Sequence, residues 1–396
     1  MSSIFLRCLG IGAKHNSKRS GSLIVPSAAP GSTGDDAMLT SLATALHEAG
    51  EGPVEILAKG GAAAWPSVEP AGLFELSGGK SRAIKFAFKL RKIKRIYVIG
   101  ADCIDGHYSI PLSLSLIGAA DAGAHAGAIA TITGCSYSES PAQETADAIR
   151  NMHPRVNLYG RDPRTVERFK KYAGRDSELV TDLAFMLHSS EPKTPGAPAD
   201  LAWIKARREA GRVLLGVNFN RQVLGKHPSV EETQVLFESY VGAISQIIEK
   251  HDDVDIALIP HDYRGEDSDC THAAQLAERL SNPNRVRPLI ERYRASEIRY
   301  YGSLMDVILT GRMHLAIESM GAGIPVACVT YQGKFEGLFD QFKMEPIVIA
   351  PEDATADALY DMVSTTLKNK ESLRVHVTSQ LDRIRDASRK NLSIEG

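Results

Sequence analysis

Short, nearly continuous apolar runs recur along this chain, each separated from the next by a stretch of helical character. Ser22–Val25 (SLIV), Val54–Ala58 (VEILA), Arg95–Gly100 (RIYVIG), Gly127–Gly134 (GAIATITG) and Arg155–Gly160 (RVNLYG) form a first series. Runs this short, apolar at nearly every position, suit strands of a parallel sheet, because helices cover both of its faces. His188–Asp200 (HSSEPKTPGAPAD) breaks the pattern; it is rich in Pro, Ser and Gly, has no apolar period and reads as a linker. A second series follows: RVLLGVNFN from Arg212, DIALIP (Asp255–Pro260), VRPLI from Val286, DVILT from Asp306, PVACVTY (Pro325–Tyr331) and EPIVIA (Glu345–Ala350). Helical stretches fill the gaps, Val230–Lys250 the longest, and two more close the chain near Ala354–Leu367 and Ser372–Lys390. The chain thus reads as α/β, with two successive doubly wound parallel-sheet domains over residues 1–190 and 198–396; residues 1–20 are an irregular extension. Such sheets bind ligands at the carboxyl ends of their strands, so the expected site lies where two such edges face a common cleft.

Composition narrows the function. A formal net charge of −2 over 396 residues gives no basis for binding nucleic acid. The five cysteines are scattered, without a C-x-x-C pair, as expected for free thiols in a reducing compartment. The first residues, MSSIFLRCLGIGAKHNSKRS, place apolar residues before basic ones, the reverse of a secretory signal, and no run is long enough to span a bilayer. The expectation is a soluble, cytoplasmic protein. Peripheral membrane contact stays open, because Phe86–Arg95 (FAFKLRKIKR) mixes apolar and basic residues. Oligomeric state is not legible.

The strand ends carry the candidate chemistry. Gly311–Val326 (GRMHLAIESMGAGIPV) puts Arg312 and His314 just past an apolar strand, where a helix starts. First-turn N–H groups lack intrahelical partners and the dipole end is positive, so an added guanidinium makes a place for phosphate or carboxylate. An arginine there also calls for a compensating anion, from ligand or protein, and the pattern leaves both open. Glu318 and Ser319 follow one turn on. In Pro30–Leu39 (PGSTGDDAML), a glycine-bearing loop opens a helix at Asp35 or Asp36; one aspartate is expected to cap it and the other to face a ligand. Val98–Tyr108 (VIGADCIDGHY) sets Asp102, Asp105 and His107 in a loop, a cluster too short to argue for a metal. Arg161 and Asp162, then Asn218, Asn220 and Arg221, then His261, Asp262 and Arg264, stand at other strand ends. Arginines and histidines converging on strand ends suit an anionic ligand.

In order and spacing these motifs resemble those of the polysaccharide pyruvyl transferases, from about Ser22 to Met344. Gly34–Ala37 is similar to the family's GD[ED]A segment. VIGADCIDG resembles its glycine-rich loop, with Asp105 in the aspartate position but Ala101 and Asp102 where glycines are usual. Arg161, Asp162 and Asp182 match its RD…S…D-x-AF stretch, with Thr165 in the serine position, and GRMHLAIESMGAGIPV matches R-[LM]-H…G-[IV]-P. The resemblance implies two Rossmann-like domains in the manner of B-type glycosyltransferases, the first on the acceptor side and the second on the donor side. It implies phosphoenolpyruvate as donor, a sugar acceptor, lipid-linked or polymeric, a pyruvate ketal as product, and no cofactor or metal. It casts His314 as general acid, Asp105 or Asp36 as base, and Arg312 with Arg161 or Arg221 as holders of the donor anions. His261, Asp35, Glu318 and Ser319 complete the expected substrate-binding set. Two other readings stay open here: a B-type glycosyltransferase using a nucleotide sugar, and an inactive paralogue that binds glycans.

Overall fold

A computed structural model of the chain describes residues 19–27, 30–59, 68, 70–76, 82–225, 228–265, 268–330 and 333–393. The expected extension over 1–20 lies almost wholly outside the described residues. The chain forms two compact units: residues 1–30, 35–186 and 384–396 in the first, and 31–34 with 187–383 in the second.

In the first unit, β1 (Ser22–Val25), β2 (Val54–Lys59), β3 (Gly72–Leu76), β4 (Arg95–Val98), β5 (Ile129–Cys135), β6 (Val156–Gly160) and β7 (Glu178–Leu179) pair in parallel in the order β3-β2-β1-β4-β5-β6-β7. Every residue of β1 and β4 is buried, which is why these strands show no polar alternation. The apolar run signal misses β3: it is an edge strand with no fully buried residue, so its sequence lacks the mark of a two-sided core. Leu23, Val25, Ile96, Val98 and Ile132 meet Leu116 and Ile117 of helix Ile110–His125 in the core. The segment FAFKLRKIKR is ordinary amphipathic helix Arg82–Lys92, with Phe86 and Leu90 buried, running on into β4.

The second unit repeats the plan. β8 (Val213–Asn218), β9 (Val254–Leu258), β10 (Val286–Pro288), β11 (Val307–Thr310), β12 (Val326–Val329) and β13 (Val348–Ile349) are parallel in the order β10-β9-β8-β11-β12-β13. Helix Val230–Lys250 begins with a capping box in which Ser229 and Glu232 satisfy each other's backbone N–H. Its Leu236, Tyr240, Ile244 and Ile247 cover the sheet.

The units depart from the expected division at 190 and 198: the second begins at residue 187 and also takes residues 31–34. The helix after the linker already starts at Ala197, with proline in its first turn, and the last residues of the chain belong to the first unit. Side-chain chemistry explains the return. Asn391, fully buried, accepts from Gly134 N (2.6 Å) and donates to Thr181 O (2.9 Å) and Ser388 O (2.8 Å). Ser388 Oγ donates to Asp182 O (2.7 Å), and Arg95 Nη1 donates to Ser393 O (2.9 Å). Apart from the bond between Asn391 and Ser388, these join residues more than 200 positions apart, so local pattern cannot announce them. Asn391→Ala is expected to destabilise the protein by about 2–3 kcal/mol in urea unfolding, since it leaves buried backbone groups unpaired. An unchanged midpoint would show that the returning segment adds no stability.

Candidate active site

Each sheet reverses its winding once, between β1 and β4 in the first unit and between β8 and β11 in the second. Such switch points are where doubly wound sheets open a ligand crevice. Most candidate residues fall at or near them, but Arg161 and Asp162 follow β6, two strands from the switch point.

In the second unit a polar network is built on the carboxyl ends of β8 and β11. Thr310 Oγ1 donates to Asn218 Oδ1 (3.1 Å) and accepts from Arg312 N (2.9 Å), which fixes the chain as it leaves the strand. Arg312 directly precedes helix Met313–Gly321. Its guanidinium forms a fork on Asp269, with Nε to Oδ2 at 3.1 Å and Nη2 to Oδ1 at 2.6 Å. Nη1 donates to Gln222 Oε1 (2.9 Å) and lies 3.3 Å from Asp262 Oδ2. Asp269 also accepts from Asn218 Nδ2 (2.9 Å) and His261 N (3.0 Å). Arg264 forks onto Asp262, with Nε to Oδ1 at 2.9 Å and Nη2 to Oδ2 at 2.6 Å. Burial works against the charge of Arg312, but Asp269 more than offsets it and the guanidinium is held above its ordinary value. Burial likewise pushes Asp262 up, and the bond from Arg264 with the charge of Arg312 outweighs it, leaving the carboxyl below its usual range. The compensating anion that Arg312 required is therefore present in the protein. Sequence reasoning missed Asp269 and Gln222. An acid in the first turn of helix Asp269–Leu280 looks like routine helix charge, and nothing in its neighbourhood points to a partner 43 residues away.

His314 is half-buried in the first turn of its helix. The segment Gly31–Gly34, which runs into the first turn of helix Thr33–Glu48, belongs to this unit and is zipped along His261–Tyr263: Thr33 N donates to His261 O (3.3 Å), Tyr263 N to Gly31 O (3.2 Å), and Ser32 bridges Asp262. This brings Gly34 onto the imidazole. A Cβ built on Gly34 would stand 2.8 Å from His314 Cβ, 2.5 Å from Cγ, and closer still to Nδ1. Gly34 and His314, from two motifs 280 positions apart in sequence, are thus one piece of packing. Glu318 is fully buried, and its Oε1 meets His261 Nε2 at 3.2 Å. Its Oε2 has no hydrogen-bond partner among the described residues. Ser319 is on the same helix, but its hydroxyl donates to Leu315 O (2.6 Å) and is buried in the helix, so it faces no ligand. Arg221 opens the turn Arg221–Leu224, whose Gln222 reaches Arg312.

In the first unit the expectation of a cap at Asp35 or Asp36 is corrected. The helix runs Thr33–Glu48, so both aspartates lie inside its first turn, where acids suit the dipole. Asp35 accepts from Ser27 Oγ, and Asp36 from Thr40 Oγ1 (3.4 Å); both aspartates are half-buried. Asp105 holds its own loop: Oδ1 accepts from His107 N (2.9 Å), Oδ2 from Ser138 N (3.3 Å), and it is 4% exposed. Asp102 accepts from Tyr108 Oη (2.9 Å). Among the described residues no group of three or more His, Cys, Asp or Glu is arranged to hold a metal ion. Ala101, where the resemblance calls for glycine, has φ 48°, in the left-handed region. Ala101→Val is expected to cost about 2 kcal/mol, since a β-branched residue fits that conformation poorly. Ala101→Gly is expected to be near neutral, the relieved strain offsetting the lost methyl; urea midpoints of both variants check this.

Arg161 follows β6 and is 2% exposed. Its Nε donates to Ser136 Oγ (2.8 Å) and its Nη1 to Asp182 Oδ2 (2.8 Å). Asp182 keeps it charged against the cost of burial. Asp162 caps the next helix, accepting from Thr165 N (2.7 Å) and Thr165 Oγ1 (2.8 Å), so threonine does at this cap what serine would do. This stretch builds structure in the first unit, and Arg161 acts within it as a buried ion-pair partner.

The fold places the molecule in a class. It is similar to a UDP-N-acetylglucosamine 2-epimerase (TM-score 0.59, 11% identity, 95% of each chain covered). It is similar also to the Anabaena protein HepE in complex with UDP-glucose (TM-score 0.56, 13% identity, 94% of this chain and 98% of that one). A third is the sucrose-phosphate synthase of Thermosynechococcus elongatus (TM-score 0.56, 14% identity, 93% and 94%). At such identities the likeness shows the fold alone: two Rossmann-like units of the B-type glycosyltransferase kind. No functionally curated protein matches the chain. A sequence model of the polysaccharide pyruvyl transferase family matches residues 33–333, from the first glycine loop through the Arg312–His314 helix, and the chain belongs to that family.

Proposed function

We propose that this protein moves the pyruvyl group of phosphoenolpyruvate onto two hydroxyls of a sugar in a polysaccharide or its lipid-linked precursor, releasing phosphate and leaving a ketal. The observation that carries the reading is Arg312 and His314 at the switch point of the second sheet, inside a chain of this family. Three of the five guanidinium N–H donors of Arg312 are assigned to Asp269 and Gln222. A donor phosphate or carboxylate would add to the remaining Nη donors and displace the neutral Gln222 amide, with the first-turn N–H groups of the His314 helix beside it. Arg264, forked onto Asp262, and Arg221, at the start of the turn that carries Gln222, are further cations of the same unit; Arg161 supports the first unit.

In this reading His314 delivers a proton to the methylene carbon of the enol. The double-bond electrons take that proton, C3 becomes a methyl, and C2 becomes an oxocarbenium-like centre. One sugar hydroxyl attacks C2 and gives up its proton to a base. The C2–O bond to phosphate then breaks, and a second hydroxyl attacks C2 and passes its proton to the imidazole that the first step left neutral, closing the ketal. Asp36 is the better base candidate, because both carboxylate oxygens of Asp105 already accept backbone N–H groups. No cofactor enters these steps. We take the enzyme to act in the cytoplasm. No helix among the described residues is long and apolar enough to cross a membrane. Helix Arg82–Lys92, with Ile84 and Phe88 exposed beside its basic residues, is the surface that would meet a bilayer carrying a lipid-linked acceptor.

A second reading, transfer from a nucleotide sugar, is favoured by one observation: a structure of the same fold was solved with UDP-glucose. Incubation with phosphoenolpyruvate or with UDP-sugars, over a panel of sugar acceptors, separates the two. Phosphate release that requires both phosphoenolpyruvate and a sugar supports the first; release of UDP supports the second.

A further inference from the structure

A cavity of about 840 Å³ opens in the second unit, within the range of about 300–1,000 Å³ usual for small-molecule sites. It lies at the carboxyl ends of β12 and β13, where Thr330 and Ala350 directly follow the strands. Val223, Val235 and Leu236 supply apolar wall, and Glu231, Glu232, Glu336 and Glu352 supply carboxylates. No lysine, arginine or histidine is among its described lining residues. Thr330 is 6% exposed, and its Oγ1 is buried with no hydrogen-bond partner among the described residues; Glu336 Oε2 is in the same state. Buried hydroxyl and carboxylate oxygens without partners are costly, and a ligand that hydrogen-bonds to them removes the cost.

We propose that this cavity is a subsite for an uncharged sugar residue of the acceptor. Charge decides against the donor, because phosphoenolpyruvate would be repelled by four carboxylates with no cation among the described lining residues. Sugar hydroxyls donate well to carboxylates, and the C–H face of a pyranose packs on valine and leucine. The turn Arg221–Leu224 links this site to the donor side: Gln222 bonds Arg312, and the next residue, Val223, lines the cavity. The inference rests on the transferase reading only in taking the sugar to be the acceptor.

The test is methyl NMR on the full chain, following Val223, Val235 and Leu236. The probes are glucose, galactose, mannose, N-acetylglucosamine and N-acetylmannosamine, with phosphoenolpyruvate and ethanolamine as anionic and cationic controls. At least one sugar is expected to shift these methyls saturably, and Thr330→Val and Glu336→Gln are each expected to weaken it tenfold or more. Both changes are close to isosteric, and thermal melts confirm folding. The proposal is overturned if no sugar shifts the methyls, if either control shifts them as strongly, or if both variants bind like the parent. Phosphate release assayed on the same preparation keeps the two ideas apart. Sugar binding without phosphoenolpyruvate turnover sinks the transferase reading and leaves the site; turnover with silent methyls does the reverse.

Discussion

Arg312→Ala is expected to lower folding stability by about 3 kcal/mol as well as abolish transfer. The loss follows from what the guanidinium holds. The side chains of Asp269 and Asp262 are 2% and 6% exposed, and removing their shared cation leaves buried carboxylates under-compensated. Asn218, the His261 N–H and Arg264 still bond them, which keeps the figure at the lower end for a broken buried pair. Arg312→Lys restores the charge but not the fork, so it is expected to recover part of the stability and little of the activity. Urea unfolding and phosphate-release rates on the same samples separate the two effects. An alanine variant as stable as the parent would show that this network does not hold the switch point together.

Gly34→Ala is expected to reduce kcat about 100-fold, at a folding cost of about 1–3 kcal/mol. The added methyl would overlap the ring of His314, so either the imidazole or the start of helix Thr33–Glu48 must move. A proton donor displaced by about an ångström loses its alignment with the carbon it serves. If His314 is the general acid, the histidine limb of the pH–rate profile shifts in this variant, whereas His314→Gln forms no product at any pH. If kcat stays at the parent value, the position of that ring is irrelevant to the reaction.

The strands of both sheets are legible where burial on two faces makes the sequence uniformly apolar, as in β1, β4, β8 and β11. They fade at the edges, as β3 shows. The return of Ile384–Gly396 to the first unit is invisible because it is written in single polar side chains, Asn391 and Ser388, paired with distant backbone. The site shows the same division. The strand-to-helix junction at Arg312 and His314 can be read from local pattern. Its partners cannot: Asp269 resembles any first-turn acid, and Gly34 any loop glycine, until the fold brings them to the guanidinium and the imidazole. The residues matched in Arg161, Asp162 and Asp182 prove to be a buried ion pair and a helix cap, a reminder that a motif can persist for structure as readily as for chemistry.

The most direct test of the central claim is turnover of phosphoenolpyruvate in deuterium oxide with a sugar acceptor, the product analysed by mass spectrometry. The account predicts a pyruvate ketal with a single deuterium in its methyl group, one phosphate released per ketal, and neither product with His314→Gln. UDP release from a nucleotide sugar, with phosphoenolpyruvate left intact, would contradict it.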